Sequence, residues 1–532
     1  MLYRQYLPEN DDQLDGHPQT NKWLISISVM IPTLIEILDT SVANVSLPHI
    51  QGSMSAGQDE ITWVLTSYLV ANAIVIPMSG WLARVMGRKK YLIVSLLVFT
   101  TSSMLCGAAE SLEQLIIFRI VQGIGGGGLQ PMSQAILLET FPPSQRGLAM
   151  GIFGMGVVCG PILGPLLGGY LTDNYSWRWI FYVNFPVGII ALVMIFSFIF
   201  DPLYHQRRGE GEKVDTVGLA LLCLGLGSLQ IALDKGQRED WFNSEFILTL
   251  SMIALICLTA LVFWELQHPH PILDLRVFRD RSFAAGNLVM FVAVFAFFGS
   301  IVLLPLYLQT LLGYTALLAG WVMGPGAVLA LLMLPIVGKL TDRVDARQLL
   351  ALGLLINAYS VYCMSGFNLN IDLNTAINSR IIQGVGMPFF FVACSYVTVA
   401  YVPKEEMNNA SAIFNLLRNL GGSFGVAFVT TLVARRTQFH HLRLAEHLTP
   451  YNLSFVIPLE ELKIGLANKL GDFLDKSEMA HGFIYRGLNR EAAAMAFNDT
   501  FFVQALIFLG LLGILWIIRK PPTRNGPQVV LH

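Results

Sequence analysis

The chain has 532 residues, of which 54% are hydrophobic and 13% charged. Soluble domains carry about 25% charged residues, and the mean hydropathy here is +0.58, so a soluble globular enzyme, a disordered chain and a fibre are excluded. The net charge of −2 argues against a nucleic-acid binder, which needs a basic excess.

The first twenty or so residues are polar and include Asp11, Asp12 and Asp15. A signal peptide begins basic and ends at a small-residue cleavage site, so the first apolar segment is expected to be retained. A membrane helix needs about 20 mostly apolar residues. Fourteen segments meet that need: 23–48, 61–83, 91–109, 114–138, 147–171, 179–200, 215–233, 246–264, 282–310, 318–338, 349–367, 374–400, 409–433 and 499–518. With the N-terminus inside, the inside segments hold twenty Lys and Arg, and the short outside loops hold three, Arg178, Lys235 and Arg238. Cytoplasmic loops are the basic ones. Both termini are therefore expected in the cytoplasm, with the long connection 434–498 outside. Within it, Leu459, Leu462, Leu466, Leu470, Phe473 and Leu474 recur at helical spacing. That helix either lies on the bundle or docks a partner, and 490–497 is expected to continue into the last span.

Arg119-Ile-Val-Gln122-Gly123-Ile-Gly125 returns 261 residues later as Arg380-Ile-Ile-Gln383-Gly384-Val-Gly386. The same offset maps Pro142 onto Pro403, Ala149 onto Ala410, and the start of span one onto that of span nine. The chain therefore divides into a tail 1–22, a six-helix bundle 23–200, an insert 201–281 with two spans, a second bundle 282–518, and a tail 519–532. Parallel repeats about an axis normal to the membrane are a transporter architecture, with the substrate site near the midplane between the halves.

Charges at mid-membrane cost about 2.5–3.5 kcal/mol each on insertion scales. Glu36 and Asp39 in span one, Arg119 in span four, Arg380 in span twelve and Arg418 in span thirteen all carry that cost, so they should face a hydrated cavity or one another. Glu36 and Asp39 share a helix face. Asp39 with Arg119 is either a proton-coupling pair or a static ion pair. Glu36, Asn44, Gln122, Gln383, Arg380 and Arg418 are the candidate cavity residues.

Span five carries Gly156, Gly160, Pro161, Gly164, Pro165, Gly168 and Gly169. Glycines every four residues let a neighbouring helix approach closely, which is also what ordinary tight packing needs. The Gly-x-Gly-x-x-Gly at 123–128 lacks the preceding strand that a dinucleotide site requires, and there is no phosphate-binding Gly-x4-Gly-Lys-Ser/Thr; no cofactor is expected. Six scattered cysteines and the absence of histidine from the apolar runs suggest neither disulfides nor a metal site. The run Arg84, Arg88, Lys89 and Lys90 is an orientation signal, a surface charge or part of a gate.

These residues resemble the major facilitator superfamily, and within it the fourteen-spanner drug:proton antiporters of the EmrB/QacA type. Leu38-Asp39-Thr40-Ser41-Val42-Ala43-Asn44-Val45-Ser46-Leu47-Pro48 is similar to the span-one motif, and 119–125 to the proton-coupling motif. The Gly/Pro series of span five is similar to the antiporter motif that marks exporters. Pro271-Ile-Leu-Asp274-Leu-Arg276-Val-Phe278 and Arg418-Asn-Leu-Gly-Gly also resemble this group. Its gating-loop motif, Gly-x-Leu-x-Asp-Arg-x-Gly-Arg-Arg/Lys, is met by Gly80, Arg84, Gly87 and Arg88, with Arg84 in the aspartate's place. The second copy keeps Asp342-Arg343 but has Asp345 where glycine is usual.

The resemblance implies an all-α membrane transporter, not an enzyme. It would export amphipathic toxic small molecules against protons, through Asp39 and Arg119, by alternating access. It would sit in an inner membrane and work with a periplasmic adaptor and an outer-membrane channel. An uptake symporter or a lipid or fatty-acid transporter on the same fold is the alternative.

Overall fold

The computed structural model describes residues 21–201, 215–269, 271–449, 451–470 and 476–520. The helices of the first half are α1 (Lys22–Met54), α2 (Gln58–Ile61), α3 (Trp63–Met86), α4 (Arg88–Ala108), α5 (Leu112–Gly126), α6 (Leu129–Thr140), α7 (Arg146–Asn174), α8 (Trp179–Tyr182) and α9 (Asn184–Phe198). Two further helices follow, α10 (Thr216–Lys235) and α11 (Glu245–Gln267). The second half holds α12 (Arg281–Thr310), α13 (Ala316–Thr341), α14 (Ala346–Met364), α15 (Leu373–Val399), α16 (Met407–Ala445), α17 (Leu453–Leu470) and α18 (Lys476–Gly510).

All fourteen apolar segments fall on helices, and among the described residues eleven helices are long and apolar enough to cross a membrane. The segment expected as one span at 114–138 is interrupted at Gly127–Gly128, between α5 and α6. A side chain at either glycine would run into Val75 or Tyr91, so close packing on α3 and α4 requires glycine there.

The 434–498 connection is helical over most of its described length, beyond the one helix and the 490–497 continuation that the spacing suggests. α16 runs to Ala445 and α18 begins at Lys476. No proline or glycine interrupts 426–449, so nothing stops the helix at the end of its span. At 1.5 Å per residue the 39 residues of α16 extend about 58 Å, well past an apolar core of about 30 Å. Asp499 joins the two long helices, pairing with Arg436 at 2.5 Å and His440 at 2.7 Å. On α17, Leu459 is buried and Leu462 half-buried, while Leu453, Ile457 and Ile464 are exposed. The expected stripe is therefore partly a packing face. The side chains of Leu466 and Leu470, and Phe473 and Leu474 altogether, lie outside the described residues, as do tail residues 1–20 and 521–532.

The two described chain ends lie on one face of the bundle. Lys22 donates to Gln145 at 2.7 Å, Arg347 to the Ile518 carbonyl at 3.4 Å, and the Arg519 amide to Ser282 at 3.1 Å. On this face the halves are packed shut. A Cβ on Gly147 would strike the Gly338 carbonyl, one on Gly151 the Leu334 carbonyl, and one on Gly80 would lie 3.0 Å from the Asn409 Cα. Farther along α7 the glycine ridge turns to α1, with Gly156 against Met30, Gly160 against Ile37, Gly164 against Ser41 and Gly168 against Val42. Gly169 has open space, and so do Gly320 and Gly324 on α13. The α7–α13 contact thus closes one end of the interface and leaves the other open.

Candidate functional site

Between the halves lies a cavity of about 610 Å³. α1 supplies Glu36 and Asn44, α3 Tyr68 and Asn72, α6 Gln130, and α16 Arg418. Aromatic rings at Phe297, Phe298, Phe390 and Phe391 make the apolar wall of the second half. A mostly apolar cleft with a few converging polar groups is the usual build of a small-molecule site.

The two acids of α1 have different surroundings. Glu36 lines the cavity. It accepts hydrogen bonds from Tyr68 Oη at 3.2 Å and Asn72 Nδ2 at 3.0 Å, and its other oxygen accepts from Gln130 Nε2. All three donors are neutral. Gln130 in turn accepts from Arg418 Nη2 through its carbonyl oxygen. A chain of hydrogen bonds therefore joins Glu36 in one half to Arg418 in the other. Arg418 is buried, and its Nη1 has no hydrogen-bond partner among the described residues.

Asp39 stands behind the cavity wall. Arg119 Nη1 lies 2.5 Å from Asp39 Oδ2, while Gln122 Nε2 and Asn184 Nδ2 donate to Oδ1 at 2.7 and 2.8 Å. Arg119 is wholly buried; its Nε donates to the Val64 carbonyl at 3.1 Å and its guanidinium stacks 4.2 Å from the Tyr68 ring. Tyr68 thus touches both acid systems, with its hydroxyl on Glu36 and its ring on Arg119. Gly126 makes room for this arrangement, since a Cβ there would press on Tyr68 Oη at 2.8 Å. The glycines that imitate a nucleotide loop serve helix packing.

The structure brings Glu36, Asn44 and Arg418 to the cavity wall, but not Gln122, Gln383 or Arg380. Gln122 is fully buried on Asp39 and Arg119. Arg380 donates to Gln383, and Gln383 Nε2 donates to Ser300 Oγ at 2.6 Å. Phe297 screens Arg380 from the cavity, with its ring 5.8 Å from the guanidinium. Sequence reading missed Tyr68, Asn72, Gln130 and Asn184, which as neutral side chains give no charge signal in an apolar run. It also missed Ser300, which the 261-residue offset pointed to directly as the counterpart of Asp39.

The gating-loop residues lie on the packed face. Asp342 caps the start of α7, accepting from the Gly147 and Leu148 amides at 2.9 and 3.3 Å. Its carboxyl is pushed up to about 6 by burial, against the pull of those two amides. Arg343 is exposed. Arg84, in the first copy, donates to the Pro271 carbonyl at 3.0 Å. Gly87 has φ +84° at the end of α3, a backbone shape that favours glycine. Arg88 forms a buried two-pronged pair with Glu139 at 2.7 and 2.5 Å, so it is more than surface charge. Pro161 and Pro165 lie within α7.

The family model for the Major Facilitator Superfamily matches residues 29–426. The chain is 36% identical over 505 residues to the multidrug export protein EmrB of Escherichia coli (strain K12), covering 94% of this chain and 96% of that one. It is also 36% identical over 506 residues to the fatty acid resistance protein FarB of Neisseria gonorrhoeae, covering 94% and 97%. Among solved structures, the human organic anion transporter MFSD10 superposes with a TM-score of 0.61 at 15% identity, over 94% of this chain and all of that one. That last likeness is one of fold. A membrane bundle of two related halves around a polar-tipped cavity agrees with all three findings: the chain belongs to the major facilitator superfamily, within its group of EmrB-type drug transporters.

Proposed function

We propose that the protein is a proton-driven multidrug exporter of an inner membrane, with both termini in the cytoplasm and the α16–α18 hairpin in the periplasm. The observation that carries this reading is the pair of buried acids on α1, joined through Tyr68 and set against a cavity between the halves. An apolar bundle retains buried ionisable groups for ion pathways and proton relays, and the multidrug names of its relatives agree. The closed cytoplasmic face makes this an outward-open state. A periplasmic proton reaches Glu36 first, because Glu36 is on the wall. Asp39 becomes reachable only when Arg119 or Tyr68 moves. Neutralising Asp39 frees Arg119 from its ion pair, which lets the halves rock. The span-five series Gly156, Gly160, Gly164 and Gly168 is the hinge surface on α1. One proton crossing ~100 mV supplies about 2.3 kcal/mol, enough for roughly a 50-fold gradient of a neutral substrate.

The cargo class is amphipathic small molecules. The guanidinium of Arg418, a lining residue of the cavity, favours cargo with an acceptor or acidic headgroup, in keeping with the fatty-acid resistance for which one relative is named. The exposed Leu453, Ile457 and Ile464 on α17 form an apolar face beyond the membrane, and we assign it to an adaptor that leads to an outer-membrane channel. The decisive test is substrate-induced proton release from energised vesicles. Wild-type protein should release protons and Asp39→Asn should not. Full coupling by Asp39→Asn would overturn the assignment. For the adaptor, Ile457→Gln with Ile464→Gln should abolish co-purification, and co-purification at the wild-type level would refute the docking face.

A further inference from the structure

The two inserted helices are unequal. α11 is mostly exposed, with Leu255, Ile256 and Phe263 each more than half accessible, and it forms an outer, lipid-facing layer. α10 lies between α11 and the cavity. Its Leu222 and Leu226 share one apolar cluster with Ile76 of α3 and Leu416 and Leu420 of α16, so it is wedged between the two halves. Its polar bonds also divide between them. Asp234 accepts from the Thr66 hydroxyl, and Lys235 Nζ lies 4.4 Å from the Trp63 ring, both toward the first half. Gln230 donates to Ser423 Oγ at 3.1 Å, and Trp241, just past the helix, donates to Thr431 at 2.9 Å, both toward the second. Gln230, Leu233 and Asp234 line the cavity from this side.

We infer that α10 is a wall of the transport cavity and a determinant of which molecules pass: it closes the gap between α3 and α16 that would otherwise open to lipid, and Leu233 and Asp234 contact the cargo. This rests on the export reading but extends it to a helix outside both repeats. Leu233 presents an apolar surface to the body of an amphiphile, and Asp234 offers an acceptor to a donor-bearing group near the mouth. A spacer would bury its polar groups on itself or leave them to the headgroups. Here Gln230 and Asp234 are hydrogen-bonded across to the moving halves, and Lys235 sits over the Trp63 ring. When the halves rock, the pairs to α3 and those to α16 cannot all persist, so α10 must slide on one half.

Two measurements on the full-length protein test this. In a chain whose six cysteines are replaced, Leu233→Cys should react with an impermeant methanethiosulfonate from the hairpin side. Leu224→Cys, on the exposed lipid side of the same helix, should react at least about tenfold more slowly, since a thiolate forms poorly in lipid. Equal rates would overturn the wall assignment. In rhodamine 6G efflux, Leu233→Trp should cut the rate at least fivefold, and Leu224→Trp should leave it within twofold. Wild-type efflux by a well-folded Leu233→Trp would overturn the specificity role. Absence of proton-driven efflux by the wild-type protein would instead sink the export reading, while the labelling rates still judge α10.

Discussion

The two halves place the same arginine and glutamine, three residues apart, at matching depth, but only one half answers them with an acid. In the first half Arg119 and Gln122 converge on Asp39. In the second, Arg380 donates to Gln383 and Gln383 donates to Ser300, which stands 261 residues after Asp39. The glutamine-to-partner distances are nearly the same, 2.7 and 2.6 Å. The glutamine contact has been kept and the charge has not. Arg380 forms no ion pair among the described residues, and its Nε has no partner. Glu36 likewise maps onto Phe297, a ring that walls the cavity and cannot ionise. The buried acids Glu36 and Asp39 therefore both belong to the first half, while at the matching positions the second half has Phe297 and Ser300.

If that division is functional, the same edit should have opposite effects in the two halves, and the largest contrast is between the arginines. Removing one partner of a buried ion pair costs about 3–5 kcal/mol, which is about two to four decades at 1.36 kcal/mol per tenfold. Arg119→Ala or Asp39→Asn should thus abolish proton-driven export and lower the detergent melting temperature. Arg380→Gln removes a buried charge that has no counter-ion, so it should leave stability equal or higher and keep export within about fivefold. Equal losses from Arg119→Ala and Arg380→Gln, by vesicle efflux and thermal melting, would erase the comparison. A smaller effect is expected at Glu36. Its three direct partners are neutral, so Glu36→Gln breaks no direct ion pair, and export should fall about tenfold or change its substrate range, in line with one proton-transfer group. Ser300→Asp sharpens the contrast from the other side. It gives Arg380 an acid at the matched position and should raise the melting temperature by about one degree, for a gain of about 1 kcal/mol. No gain would mean that the Arg380 guanidinium cannot reach the position Arg119 reaches.

Much of this was legible in the sequence, for physical reasons. Long apolar runs leave helices as the means to satisfy the backbone in lipid, so the fourteen segments could be placed. The cost of buried charge singled out Glu36, Asp39, Arg119, Arg380 and Arg418 without any contact information. Depth along a helix is readable too, but azimuth is not: which of Gln122, Gln383 and Arg380 faced the cavity depended on how α5 and α15 were rotated by their neighbours. The neutral links were invisible for the same reason. Gln130 is one glutamine among several until Glu36 and Arg418 are seen on either side of it. The helical extension of α16 could have been read from the lack of any stop signal before Pro450, had length not been judged by the membrane alone.

The smallest effect expected lies at the gate, where the halves differ once more. Asp342 binds the start of α7 with its carboxylate, while the matching position in the first copy is Arg84, which reaches the Pro271 carbonyl instead. That segment is held to α16 by a two-way bond, from the Asp274 amide to Asn409 at 3.2 Å and back to the Asp274 carbonyl at 2.9 Å. One closure thus contains a titratable group and the other does not. Asp342 is half-buried in the shut closure, which raises its pKa to about 6 from the usual 3.8. A raised value means the shut state binds the proton more tightly than the open one. Its stability relative to the open state is then greatest below about pH 4 and declines as pH rises to about 6, above which it is flat. Acidifying from pH 7 to 5 should therefore increase the outward-open population. Asp342→Asn should remove that dependence and, by keeping the site neutral as protonation does, hold the pH 7 balance toward outward-open. The measurement is thiol labelling from the cytoplasmic side at residue 148, near the closure, as a function of pH. A profile with the same pH slope in Asp342→Asn would place the sensitivity elsewhere, and Arg84→Ala, which touches the uncharged closure, should leave the slope unchanged.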